Sequence, residues 1–201
     1  LIGPNGAGKT TLFNLISAAL KPKPGKIIFE GKDITPLPAF KICRLGIART
    51  FQTVKVFPNV PVVRNVMVGA LFGTGHHMSS SEARKKAEEA LEFVDMTAYK
   101  DLPAGDLTLA QQKRLELARA LASDPKLLLL DELMAGLTPT EVSEAMNYVA
   151  EIKKRGITVI MIEHVMQAIM KISDRIVVLD YGKKIAEGTP AEVAANPRVI
   201  E

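Results

Sequence analysis

Tryptophan is missing from this chain of 201 residues, and cysteine occurs once, as Cys43. One thiol excludes an internal disulfide. That usage fits a reducing compartment, where a lone buried thiol is inert, and no partner that would activate Cys43 is evident. Aromatic residues are few, at 5%, yet 47% of the chain is apolar, which is ample for a buried core. No apolar run approaches the ~20 residues of a membrane span, and no secretory signal peptide is visible. One-sided charge is lacking too. The net charge is +4 and the isoelectric point about 9.1, but lysines and arginines are scattered among acids. Arg84, Lys85 and Lys86 are followed by Glu88 and Glu89, which gives i,i+4 pairs on a helix. The basic balance therefore reads as a solvated mixed face rather than a nucleic-acid or membrane patch. Internal repeats and low-complexity tracts are absent. The length implies one domain with room for a subdomain.

The most informative stretch comes first. Residues 1–11 read LIGPNGAGKTT and fit G-x-x-x-x-G-K-[ST], the phosphate-binding P-loop. Gly3, Gly6 and Gly8 lack Cβ, so the backbone can take positive φ and admit a phosphate. Successive N–H groups then form an anion nest. Lys9 adds a point charge for β- and γ-phosphates, and the Thr10 hydroxyl can ligate Mg²⁺. Residues 10–20 read as a helix whose positive end faces the same anion. Leu1-Ile2 reads as the end of a buried strand. There is no initiator methionine, so the natural N-terminal strands are expected upstream of Leu1.

A turn at 21–25 leads to a hairpin of 26–30 and 32–34 through Gly31. A short helix is expected over 39–45, and a strand over 47–51 that ends at Gln52. Residues 60–68 fit strand or helix. Residues 73–81 read as a loop, and its neighbours His76 and His77 lack the further ligands of a metal site. Helices follow at 82–94, with Ala83, Ala87, Ala90, Leu91 and Val94 on one stripe, and at 108–122. Alternation of strand and helix then returns. The run at 126–132, four leucines ending in Asp131 and Glu132, suits a parallel strand buried on both faces. Thr138 caps a helix to 154 with Pro139 at its first position. Strands are expected at 157–162, 175–179 and 183–186. A helix to 172 lies between the first two, and a last helix starts at Thr189-Pro190. The fold class is α/β, a mononucleotide-binding core with a mostly parallel sheet and an antiparallel portion. Residues 1–52 and 123–201 form that core and 53–122 a helical subdomain.

Asp131 and Glu132 fall where the carboxyl ends of strands meet a ligand crevice. One carboxylate there can hold Mg²⁺ directly or through water, and a second can orient or deprotonate the attacking water. His164 also follows a buried strand and can hydrogen-bond a γ-phosphate or the water. Gln52 can offer its carboxamide oxygen to Mg²⁺ or touch the water. Alone, Gln52 and His164 also read as ordinary surface residues.

In order, the P-loop, the strand-end Gln52, the helix-opening "LTLAQQKRLELARAL", "LLLLDE" and "IEH" resemble the ATP-binding cassette ATPases over nearly the whole chain. "GIARTFQ", "NVMVG", "QQKRLELARAL" and "SDRIVVLDYGKKIAEGTP" are similar to the ATPase subunits of bacterial branched-chain amino-acid importers. The resemblance implies a P-loop NTPase core, ATP and Mg²⁺ as ligands, and ATP hydrolysis coupled to transport. It implies that Asn5, Gly6, Ala7, Gly8, Lys9, Thr10 and Thr11 wrap the phosphates and that Thr10, Gln52 and Asp131 surround Mg²⁺. Glu132 polarises water, and His164 contacts the γ-phosphate. A second ATPase subunit, identical or related, would present its signature motif to each site. In this chain that motif maps to residues 107–111, with Thr108, Ala110 and Gln111 at the nucleotide. Membrane permease subunits would dock near 52–68, and an external solute-binding protein would act indirectly. Nucleic acid is not an expected partner. The expected place is the cytoplasmic face of a bacterial-type membrane, held there through the permease.

Several positions depart from that family's pattern. Leu109 and Ala110 stand where glycines are usual. Ala110 costs strain if the site needs positive φ and nothing if it is already helical. Leu133 replaces a proline, and Thr138 an Asp or Asn of the loop that senses the partner site. The adenine-stacking aromatic of this family lies upstream of the P-loop. An ATP-binding module with little turnover, working only beside a second ATPase, is the alternative these departures raise. A DNA-repair or ribosome-associated ATPase would carry a long coiled-coil insert or two cassettes, and neither is present. A GTPase would carry Asn-Lys-x-Asp, which is absent.

Overall fold

The computed structural model describes residues 1–73 and 78–200. The four-leucine run sets the centre of the molecule. Strand β4 (Leu127–Asp131) is buried along its full length. Successive strand side chains point to opposite faces, and both faces are covered. Leu127 and Leu129 pack with Phe13, Ile34, Ile42 and Ile162 on one side. Leu128 and Leu130 pack with Leu91, Leu115, Val149 and Ile152 on the other. Strands β3 (Ile47–Arg49) and β5 (Thr158–Ile162) flank β4 in parallel, with Ile47 opposite Leu127 and Leu127 opposite Thr158.

Leu1-Ile2 extends this sheet. The Leu1 amino group donates to Met161 O of β5 at 2.7 Å. Ile2 makes a parallel bridge to Val178 of β6 (Ile176–Asp180), and β6 turns back antiparallel into β7 (Lys183–Gly188). A small antiparallel pair, β1 (Ile28–Phe29) and β2 (Lys32–Asp33), forms a separate hairpin. Its turn holds Glu30 and Gly31 at φ 47° and 76°, the doubly positive pattern that matches strand twist.

Helices α1 (Lys9–Ile16) and α2 (Ala39–Arg44) precede β3. Helices α3 (Val62–Phe72), α4 (Ser80–Phe93) and α5 (Leu109–Leu121) form a helical segment between β3 and β4. Helices α6 (Pro139–Lys154), α7 (Met166–Ile172), α8 (Pro190–Ala194) and α9 (Pro197–Ile200) alternate with or follow the later strands. Among the described residues, the helical segment has no core of its own. Val62, Leu91 and Leu115 belong to the same apolar cluster as Leu128 and Val149, so α3 to α5 share one sheet face with α6. Four helices open on reciprocal caps: Ser79 with Glu82, Thr108 with Gln111, Thr138 with Glu141 and Thr189 with Glu192. Each cap satisfies N–H groups that have no partner inside the helix.

Four expectations are corrected or narrowed. Helix α1 stops at Ile16, not at 20. Ser17 Oγ returns to Phe13 O, Ala18 turns left-handed at φ 55°, and Leu20 N donates to Asn14 O. Residues 60–68 are helical from Val62, because Val62, Val63, Val66 and Ala70 are buried at helical spacing. The strand expected over 47–51 ends at Arg49, although Thr50 N still reaches Leu129 O. Helix α4 starts two residues earlier than expected, at Ser80. His76 and His77 lie outside the described residues.

Candidate functional site

The P-loop joins the Ile2 bridge to α1. Gly3, Gly6 and Gly8 take φ of 148°, 80° and 97°. At Gly3 the need is steric as well: a Cβ would lie 2.0 Å from Leu179 O. The β6–β7 hairpin backs the loop, with Leu179 N donating to Ile2 O and Gly182 N to Ala7 O, both at 2.9 Å. Lys9 is buried, and its Nζ donates to Gly3 O at 2.7 Å and Pro4 O at 3.0 Å. The ammonium is thus held inside the loop. Asn5, Gly6, Thr10 and Thr11 are exposed around it, and Ala7 is buried. Unpaired amides of the first α1 turn and the Lys9 charge favour an anion here.

Beside α1, the carboxyl end of β4 carries a buried ion pair. Arg49 Nη2 meets Asp131 Oδ2 at 2.8 Å, with side-chain exposures of 6% and 1%. Arg49 Nη1 donates to Asn14 Oδ1 at 2.7 Å and Ser17 Oγ at 3.0 Å, which ties β3 to α1. Asp131 N donates to Thr50 Oγ1. Among the described residues, Asp131 Oδ1 is buried without a hydrogen-bond partner. Buried carboxylate oxygens are rarely left so, and this one is a free acceptor for a cation or its bound water.

Glu132 follows in a left-handed conformation, φ 52°. Its N–H donates to Ile162 O of β5 at 2.9 Å. The carboxylate takes Nε2 of Gln52 at 3.0 Å on one oxygen and meets Nε2 of His164 at 3.2 Å on the other. Three residues separated by 80 and 32 positions in sequence therefore converge on one carboxylate. The loop after β4 is fixed from below. Lys113 Nζ donates to Glu132 O at 2.8 Å, Leu133 O at 3.0 Å and Ala135 O at 2.6 Å. Met134 N donates to Glu163 Oε1 at 2.8 Å. Burial pushes the Glu163 carboxyl above its ordinary range, against its bond from Met134 and the nearby Lys113. Burial lowers the Lys113 ammonium, while Glu163, Glu132 and Glu116 act to raise it.

At the start of α5, the Thr108 hydroxyl accepts from Gln111 N, and Gln111 Oε1 accepts from Thr108 N. Ala110 is the second residue of α5 and buried. It is already helical, so its methyl costs no strain there. Leu133 is buried in the main core, and the Thr138 hydroxyl is taken by its own cap with Glu141.

The structure thus joins Gln52, Glu132 and His164 directly. Among the described residues, no hydrogen bond links Thr10 to Gln52 or Asp131, or residues 107–111 to the P-loop. Arg49, Lys113 and Glu163 hold the site together, although no role attached to them in the sequence. Their signal was a charge inside a buried element, Arg49 in β3 and Lys113 in α5. No group of three His, Cys, Asp or Glu among the described residues could hold a metal ion. A cation here would need oxygens from a nucleotide and water, as Mg²⁺ commonly does.

Residues 1–135 match the family model described as ABC transporter, and residues 183–201 match that of the branched-chain amino acid ATP-binding cassette transporter. The chain is 40% identical over 214 residues to the high-affinity branched-chain amino acid transport ATP-binding protein BraF of Pseudomonas aeruginosa, covering 100% of this chain and 84% of that protein. It is 38% identical over 213 residues to the corresponding protein LivG of Escherichia coli, with the same coverage. A solved structure of the ADP conformation of MJ1267, an ATP-binding cassette of an ABC transporter, superposes with TM-score 0.88 at 34% identity, covering 99% of this chain and 84% of that one. The dimeric post-hydrolysis structure of the cassette MJ0796 bound to ADP and Pi gives 0.84 at 26% identity, covering 94% and 83%. A P-loop backed by a β-hairpin, a buried strand-end carboxylate and a glutamate met by glutamine and histidine thus sit in a chain that belongs to the ATP-binding cassettes of ABC transporters.

Proposed function

We propose that this chain is the ATP-hydrolysing motor subunit of an importer for branched-chain amino acids or related small polar solutes. The observation that carries the catalytic part is the Glu132 carboxylate, held between Gln52 and His164. The solute class rests on the relatives and on the family match over residues 183–201.

Asn5 to Thr11 bind the β- and γ-phosphates through backbone amides and Lys9. The Lys9 ammonium leaves the carbonyls of Gly3 and Pro4 for the anion. Thr10, Gln52 and Asp131 hold Mg²⁺, which neutralises phosphate charge when bound. Asp131 suits that role because Arg49 occupies only one of its oxygens. Glu132 takes a proton from the attacking water at one carboxylate oxygen. His164 Nε2 meets that carboxylate while the site is empty and turns its one N–H to the γ-phosphate when ATP is bound. Gln52 reports the state of the site to the helical segment, because its amide nitrogen holds Glu132 while its backbone leads into residues 53–61. Thr108, Ala110 and Gln111 serve the site of a second ATPase subunit, identical or related, at the positive end of α5. ATP drives closure because only the closed pair completes both sites.

The partition at 1–52 and 123–201 against 53–122 follows the same logic: the second part carries the signature motif toward the partner. A cavity of about 340 Å³ lies between the two parts, lined among others by Cys43, Phe51, Val68 and Phe72. Phe72 on its wall is 66% exposed. This apolar mouth next to Gln52 is where a permease helix docks. Attachment at the cytoplasmic face runs through that permease; among the described residues no helix is long and apolar enough to cross a membrane. An external solute-binding protein delivers the solute without touching this chain.

The test is phosphate release from Mg·ATP by the complete protein beside Glu132→Gln. Turnover is expected to fall by on the order of 10²-fold or more, with ATP binding kept. Equal turnover in both proteins overturns the assignment of Glu132. Uptake of labelled leucine, isoleucine and valine by the reconstituted transporter checks the solute class.

A further inference from the structure

Lys113 is 6% exposed and lies in the seam between α5 and the loop after β4. An ammonium has three donors, and here each finds a backbone carbonyl: Glu132 O, Leu133 O and Ala135 O. Those carbonyls belong to one turn, which also closes on itself through Ala135 N to Glu132 O at 3.2 Å. Glu132 opens the turn at φ 52°. Left-handed backbone strains a non-glycine residue and persists only where surrounding contacts enforce it. Two contacts do so. Ile162 O fixes the Glu132 N–H, and Lys113 fixes the Glu132 carbonyl. Turning either of the two peptides that flank Glu132 would break one of these bonds and swing the carboxylate away from Gln52 and His164.

Lys113 stands on the helix that opens with Thr108 to Gln111, little more than a turn from the capping box. We propose that Lys113 is the positioning residue of Glu132, locking the signature helix and the water-polarising carboxylate of the same subunit into one rigid piece. A displacement of α5 by the nucleotide of the partner site would then carry Glu132 with it. Three charge-assisted bonds from a single buried nitrogen stiffen the seam, and Glu163 holds the far side of the same turn at Met134 N. The inference rests on the role given to Glu132 above.

Lys113→Met and Lys113→Arg in the complete protein test it, each also combined with Glu132→Gln. Lys113→Met is expected to lower kcat for ATP at least tenfold with KM within threefold, since the P-loop is untouched. Lys113→Arg, which keeps the charge and several donors, is expected to restore most of kcat. On a Glu132→Gln background, Lys113→Met is expected to have no further effect, because the two residues act as one unit. Hydrogen exchange supplies a readout free of turnover. The amides of Glu132, Met134 and Ala135 are expected to exchange at least tenfold faster in Lys113→Met, while those at the C-terminal end of α5 keep their protection. An unchanged kcat in Lys113→Met, or unchanged exchange at 132–135, overturns the proposal. So does a loss spread evenly over α5, which would mark a purely structural role. If Glu132→Gln itself leaves turnover intact, the fault lies with the role of Glu132; if only Lys113→Met is silent, it lies with Lys113.

Discussion

Replacing Arg49 by methionine should destabilise the fold by about 3–5 kcal/mol, because it leaves the Asp131 carboxylate buried without its cation. The gross attraction across 2.8 Å is about 6 kcal/mol at an effective dielectric of about 20. Most of that offsets the desolvation of two groups that are 6% and 1% exposed, so the intact pair contributes little net stability. Removing one member leaves the desolvation in place and takes away the attraction. Methionine keeps the aliphatic volume over Phe13 and Phe51, whose ring centroids lie 5.6 and 5.0 Å from the guanidinium. It loses the cation–π attraction and the bonds to Asn14 and Ser17, so the upper half of the range is the better expectation. Urea unfolding reads this directly. With a slope of about 2 kcal/mol per molar, the midpoint should drop by about 2 M at constant slope. The double variant Arg49→Met with Asp131→Asn should recover at least about 2 kcal/mol of the loss. A single variant within about 1 kcal/mol of wild type would refute the reasoning, as would a double variant no more stable than the single.

Three further outcomes follow from local geometry. Thr138→Ala removes the α6 cap and should cost about 1 kcal/mol, a fall of about 3 °C in Tm, with Thr138→Asn restoring most of it. Gly69→Ala should destabilise by about 2 kcal/mol despite its better helix propensity. Its Cβ would lie 2.0 Å from Arg119 O, and α3 must move off α5; an unchanged or raised Tm would contradict that contact. Glu163 has its carboxyl raised by burial above 4.5. Its contribution is complete below about 4.5, the unfolded value, and is lost as pH climbs through the folded value. Glu163→Gln removes that loss, so its urea midpoint should gain on wild type as pH rises from 4 to 7, and a constant gap would refute it.

The parts of the site that follow from local patterns were legible in the sequence. The P-loop spacing, the four leucines ending in Asp131 and Glu132, and the Thr-Pro caps each have a short-range cause. The meeting of Gln52, Glu132 and His164 was accessible only through the resemblance, since no spacing rule places them on one carboxylate. What supports them was not legible. Lys113 resembles any lysine of a charged helix until α5 is laid against the turn at 132–135, and Arg49 acquires its meaning from Asp131 across the β3–β4 ladder. The strand-or-helix ambiguity at 60–68 resolved through burial, because four residues at helical spacing meet α4 and α5. The extent of α1 failed for a subtler reason. Residues 17–20 carry good helix formers, but the Ser17 hydroxyl competes for the backbone and Ala18 takes the left-handed turn.

The brace behind the P-loop has a temporal side. Ala7 depends on Gly182, and Ile2 on Val177 and Leu179, so on the ribosome the loop waits for a hairpin made about 175 residues after it. At about 5–20 residues per second that is a delay of roughly 10–35 s. Throughout it, Gly3 to Gly8 lack the support that shapes them to receive a phosphate. A nascent chain should therefore gain nucleotide affinity late and abruptly, when β6 and β7 clear the exit tunnel. Until then, cellular ATP cannot stabilise the partly made protein by mass action.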